Sequence, residues 1–160
     1  MIGIMADSHD NVNAVRRAVR FFNDTECGLV IHAGDIVAPF SARELGNLSC
    51  QVKAVFGNCD GEKEGLKKSF EGFGEIKEAP FIFSQNRQRF LITHVHFSVP
   101  HYAASGEHDV LIFGHTHKPE IRREEGTLLI NPGETGGWLS GRHTVVLLNP
   151  ETLETELVVL

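Results

Sequence analysis

Long hydrophobic runs are missing from this chain of 160 residues. Its apolar stretches have the length of strands, which excludes a membrane-spanning helix. Positive charge is in deficit: 15 Lys and Arg against 21 Asp and Glu give a net charge of −6. Broad nucleic-acid binding, which needs basic surface against phosphates, is therefore not expected. Cysteine is scarce, and Cys27, Cys50 and Cys59 are odd in number and widely spaced, matching neither a disulfide framework nor a zinc knuckle. Met1 leads straight into a strand, with no basic n-region or apolar h-region of a signal peptide, so a cytoplasmic location is expected. Internal repeats, linkers and low-complexity segments are also lacking. A content of 41% hydrophobic and 22% charged residues is ordinary for a globular protein. The length suits one domain over residues 1–160 with a real core.

The first 60 residues read strand–helix–strand–helix–strand. Ile2 to Ala6 is apolar, and Asp10 or Asn11 can cap a helix whose Val12, Val15, Val19 and Phe22 mark one face, with Arg16, Arg17 and Arg20 outward. Leu29 to Ala33 and Gln51 to Phe56 follow as strands, with a helix between them from Pro39 towards Gly46 and Asn47. This order implies parallel pairing through right-handed crossovers. Lys63 to Phe70 reads as one or two helical turns. Strands dominate afterwards: Glu75 to Ala79, Phe81 to Ser84, Arg89 to Thr93, Val110 to Phe113, Glu120 to Arg123, Leu128 to Asn131, Thr144 to Leu148 and Glu156 to Val159. A short helix is expected near Pro100 to Ser105, and hairpin turns at Gln85-Asn86-Arg87, Glu124 to Thr127 and Asn149 to Thr152. Two sheets packed face to face with helices outside fit this order.

Five polar clusters directly follow apolar runs: Asp7-Ser8-His9, Gly34-Asp35, Gly57-Asn58-Cys59-Asp60, Thr93-His94-Val95-His96 and Gly114-His115-Thr116-His117. Open α/β sheets bind ligands at the carboxyl ends of their strands. Taken singly, each cluster has an ordinary reading: a capping Asp, a Gly-Asp turn, an Asx-turn, the polar end of a strand. Together they place two Asp, one Asn and four His along one sheet edge, enough for two metal ions sharing a carboxylate. An extended backbone would aim Asp7 and His9 the same way. Such a set is the apparatus of metal-assisted phosphoryl hydrolysis. Mixed N/O ligation at open sites suits Mn²⁺, Fe, Ni²⁺ or Zn²⁺ better than Ca²⁺.

The ordered set Asp-x-His, Gly-Asp, Gly-Asn-x-Asp, Thr-His-x-His and Gly-His-Thr-His, with Asn131-Pro132-Gly133 near the end, resembles the calcineurin-like metallophosphoesterases. The similarity spans nearly the whole chain and is closest in kind to the small single-domain phosphodiesterases of archaea and bacteria. It implies a four-layer α/β/β/α sandwich of two mixed sheets flanked by helices. It also implies that Asp7, His9 and His117 hold one divalent metal, that Asn58, His94 and His115 hold the other, and that Asp35 bridges them. Mn²⁺ is the leading candidate, with Ni²⁺, Fe or Zn²⁺ as alternatives. A bridging hydroxide would attack a small phosphodiester substrate in line with the leaving oxygen. Asp35, Asn58, His94 and His96 would be the catalytic group, although His96 reads equally as a solvent-exposed side chain.

Departures from the family pattern are informative. Cys59 stands where many members carry a His thought to assist the departing oxygen, Val95 replaces a usual Gly, and Glu134 stands where Ser often follows Asn-Pro-Gly. The segment Phe97 to His108 is shorter than the usual helical insert. His32 reads as a hydrogen-bonded core residue, His101, His108 and His143 as surface, and Cys27 and Cys50 as small buried hydrophobes. The loop Gly136 to Arg142 reads either as a mobile flap carrying Trp138 and Arg142 to the substrate or as an irregular surface turn. Two rival functions remain: a phosphomonoesterase or nucleotidase at the same centre, and a non-catalytic interaction scaffold like the retromer subunit that shares the fold. The oligomeric state, monomer or homo-oligomer, is open.

Overall fold

The computed structural model describes residues 1–160. Strands β1 (Ile2–Met5), β2 (Leu29–His32), β3 (Gln51–Val55) and β4 (Gly74–Lys77) run parallel, and β10 (Thr144–Leu148), antiparallel to β1, and β11 (Thr155–Val159), antiparallel to β10, extend the sheet in the order β11-β10-β1-β2-β3-β4. The second sheet takes β5 (Phe81–Gln85), β6 (Gln88–Ile92), β7 (Val110–Ile112), β8 (Pro119–Glu124) and β9 (Thr127–Pro132) in the order β5-β6-β7-β9-β8. Its central strands β6, β7 and β9 are parallel, and β5 and β8 are antiparallel edges. Both sheets are therefore mixed.

Side-chain alternation, the period of two inherent to a strand, sorts residues into layers. Ile2, Ile4, Leu29, Ile31, Phe90, Ile92, Val110, Ile112, Leu128 and Ile130 face between the sheets. Their neighbours Met5, Val30, Val52, Val145 and Leu147 turn outward beneath α1 (Val12–Asp24), α2 (Pro39–Ala42) and α3 (Lys63–Phe70). Leu91, Leu111, Phe113 and Leu129 pack under α4 (Val99–Ala104) through Val99 and Ala103. The outer layer over the second sheet is thus one six-residue helix. Asn11 caps α1, its Oδ1 accepting the Ala14 N–H at 3.2 Å, and Ala14, Val15, Ala18, Val19 and Phe22 form its buried face. Val12 is only half-buried. Asp10 instead accepts the Ala38 N–H ahead of α2.

The expected single helix from Pro39 to Asn47 is shorter than read. After Ala42 the chain tightens into a 3₁₀ helix, Arg43–Asn47, which ends near the Gly46-Asn47 breaker. The turns at Asn86-Arg87 and Glu125-Gly126 carry positive φ at both central residues, the type that matches the twist of a two-residue hairpin. No helix is long and apolar enough to cross a membrane.

Candidate metal centre

The carboxyl ends of β1, β2 and β3 in one sheet and of β6 and β7 in the other open onto one place. Asp7 and His9 follow β1, Asp35 follows β2, Asn58 follows β3, His94 follows β6, and His115 and His117 follow β7. The expectation that an extended backbone aims Asp7 and His9 together needs correction. Both lie past the end of β1 in left-handed backbone, at φ of 50° and 40°, and their N–H groups donate to the Gly34 and Asp35 carbonyls at 3.0 Å each. A turn locked onto the β2 loop therefore aims them. Asp35, His115 and His117 share this conformation, at φ of 58°, 71° and 58°. Non-glycine residues there are strained and persist only where the surroundings fix them.

The side chains form two groups joined by one carboxylate. His9 Nε2 lies 3.5 Å from Asp35 Oδ2 and 3.9 Å from Asp7 Oδ1, and His117 Nε2 lies 3.5 Å from Asp7 Oδ1. On the other side, His94 Nε2 is 3.3 Å from Asp35 Oδ2 and 2.9 Å from Asn58 Oδ1, which also sits 2.7 Å from His115 Nδ1. Asp35 Oδ2 faces both halves.

Hydrogen-bond accounting shows what this set accommodates. His94 Nδ1 lies 2.8 Å from the Ala33 carbonyl, so Nδ1 carries the proton and a neutral ring keeps its lone pair on Nε2. That lone pair points at two oxygen acceptors, an opposition relieved only by a proton or a cation. His9 Nε2 is shut off from solvent with no hydrogen-bond partner at all. Two donor sets of carboxylate and imidazole groups, joined in one of them by the Asn58 amide oxygen, have the chemistry that divalent cations of the Mn²⁺-to-Zn²⁺ type prefer. Burial pushes the Asp7 carboxyl up to about 7 against the pull of His94 and His117, and a nearby cation would favour its ionised form. Burial opposes the charge on Asp35 as well, yet the neighbouring His94 ring and the hydrogen bond from the Cys59 N–H hold it well below the usual carboxylate range. Burial likewise disfavours the His94 imidazolium, and Asp35 overcomes it and raises that ring above its ordinary value.

Residues to which the sequence assigned no role hold this arrangement. The Asp60 carboxylate, 2% exposed, accepts the N–H groups of Gly57 (2.7 Å), Val37 (2.7 Å) and Asp35 (3.1 Å). Asn131 donates to the Gly114 carbonyl at 2.9 Å and to Thr116 Oγ1 at 3.0 Å, bracing the turn that carries His115 and His117. Glu134, 1% exposed, accepts from Leu139 N, Ser140 N and Ser140 Oγ at 2.7, 3.0 and 2.8 Å. Its Oε1 also lies 3.3 Å from His117 Nδ1, off the line of a hydrogen bond. The available signal was an acid set among Gly, Asn and Pro in a cluster already singled out. Glycine is required at position 57, where a Cβ would stand 2.1 Å from Asp35 Oδ1, and at Gly34, whose φ is 96° and whose Cβ would meet the His94 ring at 2.6 Å.

His96 stacks on the His115 ring at 5.3 Å, beside the exposed Phe97, and its Nδ1 is buried without a partner. His32 is hydrogen-bonded as expected, to Ser8 Oγ at 3.0 Å and the Gly34 N–H at 3.3 Å. His101 is exposed, and His143 is half-buried with Nδ1 3.0 Å from the Thr135 carbonyl. His108 is not a surface residue: it is buried where the chain enters β7, its carbonyl accepting Thr127 Oγ1. Cys27 is buried, Cys50 half-buried and Cys59 exposed, all with free thiols. The loop Gly136 to Arg142 is tethered through Glu134 and through Trp138 Nε1, which donates to the His9 carbonyl at 3.0 Å.

The model of the calcineurin-like phosphoesterase superfamily domain matches residues 1–153. Phosphodiesterase MJ0936 of Methanocaldococcus jannaschii is 39% identical over 163 residues, covering 99% of this chain and 98% of that protein. A solved structure described as a novel archaeal phosphodiesterase superposes with a TM-score of 0.95 at 36% identity over 99% of both chains. A Vps29 mutant from Entamoeba histolytica, at TM-score 0.70 and 18% identity over 99% and 98% of the two chains, shares the fold. With this likeness along its whole length, and with strand ends that converge as the motifs implied, the chain belongs to the calcineurin-like phosphoesterase superfamily and is a phosphoester hydrolase.

Proposed function

We propose that the protein is a divalent-metal-dependent phosphodiesterase with a two-ion centre. Asp7, His9 and His117 form one half, Asn58, His94 and His115 the other, and Asp35 joins them. The observation that carries this is the opposition of acceptors: His94 Nε2, with its proton on the far nitrogen, faces Asn58 Oδ1 and Asp35 Oδ2. Bound by these residues, two divalent cations would supply an acidified water as nucleophile and positive charge for the phosphoryl oxygens. Mn²⁺ is the first choice, and Ni²⁺, Fe and Zn²⁺ share the donor preference.

The chain's own groups set the rest. The Ala33 carbonyl fixes the His94 tautomer, and the N–H of Cys59 holds the Asp35 carboxylate charged. His96, stacked outside His115, stands where it can face a substrate ester oxygen. The relatives named as phosphodiesterases support a diester. Free thiols at Cys27, Cys50 and Cys59 support a cytoplasmic enzyme.

The test is a panel of aryl and alkyl mono- and diesters before EDTA treatment, after it, and after Mn²⁺ is added back. Diester hydrolysis should vanish on chelation and return with the metal. Asp35→Asn should abolish turnover and lower metal content while the protein stays folded. Near wild-type turnover of Asp35→Asn at saturating Mn²⁺ would sink the bridged centre. Preferred cleavage of monoesters would make the enzyme a monoesterase or nucleotidase, and silence across the panel would point to the scaffold role.

A further inference from the structure

All three residues of one half of the centre are tied to a single loop. Gly136 N–H donates to the Asp7 carbonyl at 3.0 Å, and Trp138 Nε1 donates to the His9 carbonyl at 3.0 Å. Asn11 Nδ2 donates to the Gly136 carbonyl at 2.7 Å, closing the loop onto the Asp7–Asn11 turn. The third member, His117, meets the loop through Glu134. Its Nε2 faces Asp7 Oδ1 at 3.5 Å, and its Nδ1, closed off from solvent, has the Glu134 Oε1 carboxylate oxygen 3.3 Å away. Nothing comparable reaches the other half, where His94 is oriented by a main-chain carbonyl.

A fully buried carboxylate is costly unless its lone pairs are used. Glu134 uses both oxygens, one towards Leu139 N and His117, the other towards Ser140 N and Oγ. The Glu134 Oε1 carboxylate oxygen, 3.3 Å from Nδ1 but off the line of a hydrogen bond, favours a proton on that nitrogen through its charge and leaves the Nε2 lone pair towards Asp7, the form a cation needs.

We infer that Glu134 is a positioning residue for the Asp7, His9 and His117 half of the centre, and that the loop it braces carries Trp138 as a reporter of that half. This rests on the two-ion reading above. Outer carboxylates of this kind typically change metal affinity by about 10- to 100-fold.

The experiment titrates Mn²⁺ into the chelated full-length protein by calorimetry, while following the emission of Trp138, the sole tryptophan. Wild type should bind two ions, with the emission change following one of them. Glu134→Ala should weaken that one ion about 10- to 100-fold and leave the other within about threefold. Glu134→Gln, which retains an acceptor for Nδ1, should restore much of the loss. Ser140→Ala, which loosens the loop and leaves the His117 contact in place, should stay near wild type. Thermal unfolding of each variant shows whether it is folded. Equal weakening of both ions in folded Glu134→Ala and Glu134→Gln would reduce Glu134 to a packing role, and unchanged binding would remove it altogether; either overturns the inference. Wild-type protein that binds one ion or none overturns the two-ion reading itself, and the inference with it.

Discussion

Replacing Asp60 measures how firmly the Asp35 loop is held. The wild-type Oδ2 accepts from Gly57 and Asp35, and Oδ1 accepts from Val37. Asn keeps one oxygen. Its best orientation retains the Gly57 and Asp35 bonds and turns an NH₂ against the Val37 N–H, leaving one buried donor unsatisfied at about 1–3 kcal/mol. Part of that is returned, because Val37 sits at φ 87°, a strained conformation for a β-branched side chain that relaxes once its anchor is gone. The net loss should be about 1–2 kcal/mol, or roughly 2–8 °C in Tm for a chain of this size. Asp60→Ala strands all three donors and should lose at least about 3 kcal/mol, roughly 6 °C or more. Calorimetric unfolding in metal-free buffer provides the assay, and exposed Glu156→Gln, expected to stay within about 0.5 kcal/mol, is the control. Turnover should fall alongside Tm, because Asp35 and its packing partner Gly57 share the same anchor. If Asn and Ala variants both unfold within about 1 °C of wild type, the Asp60 bonds do not hold the loop and the reasoning fails.

Two further outcomes follow from single residues. Burial lowers the His32 pKa to about 3, against about 6.5 in an unfolded chain, so between those values the unfolded state binds the extra proton. Stability contributed by neutral His32 is therefore complete above about 6.5 and is lost as pH falls towards 3, at roughly 1 kcal/mol per pH unit; urea unfolding at several pH values should show a shallower slope for His32→Gln, and identical slopes would contradict this. Cys59 is exposed beside Asp35 and offers no imidazolium to a departing alkoxide, a poor leaving group. Cys59→His should raise alkyl-diester hydrolysis more than aryl-diester hydrolysis, on a scale where general-acid help is worth about 10²–10⁴-fold, and parallel or flat responses would show that this position does not protonate the leaving oxygen.

Local order was legible wherever short-range periodicity decides it. The apolar runs before Asp7, Asp35, Asn58, His94 and His115 became the parallel strands that carry them, and the Val15-Val19-Phe22 face of α1 lies where its spacing placed it. Sheet membership was not legible: β10 returns across most of the chain to pair with β1, and that choice rests on long-range packing of Val146 and Leu148. The residues that position the side chains were harder still. Asp60, inside a singled-out cluster, and Glu134, noted as a departure after Asn-Pro-Gly, were given no positioning role, because nothing in a linear sequence distinguishes a carboxylate facing water from one closed over by main-chain N–H groups. His108 was misread for the same reason, its burial decided by where β7 enters the sheet.

Five residues of the centre, Asp7, His9, Asp35, His115 and His117, occupy backbone that suits glycine or asparagine. A search for greater thermal stability would therefore be drawn to these positions, since Gly there relieves about 1 kcal/mol or more of strain while deleting a side chain of the proposed centre. Variants selected for heat resistance alone should drift towards inert, well-folded chains. Any engineering of this enzyme must hold these five codons fixed and look for its gains on the helical faces and in the hairpins.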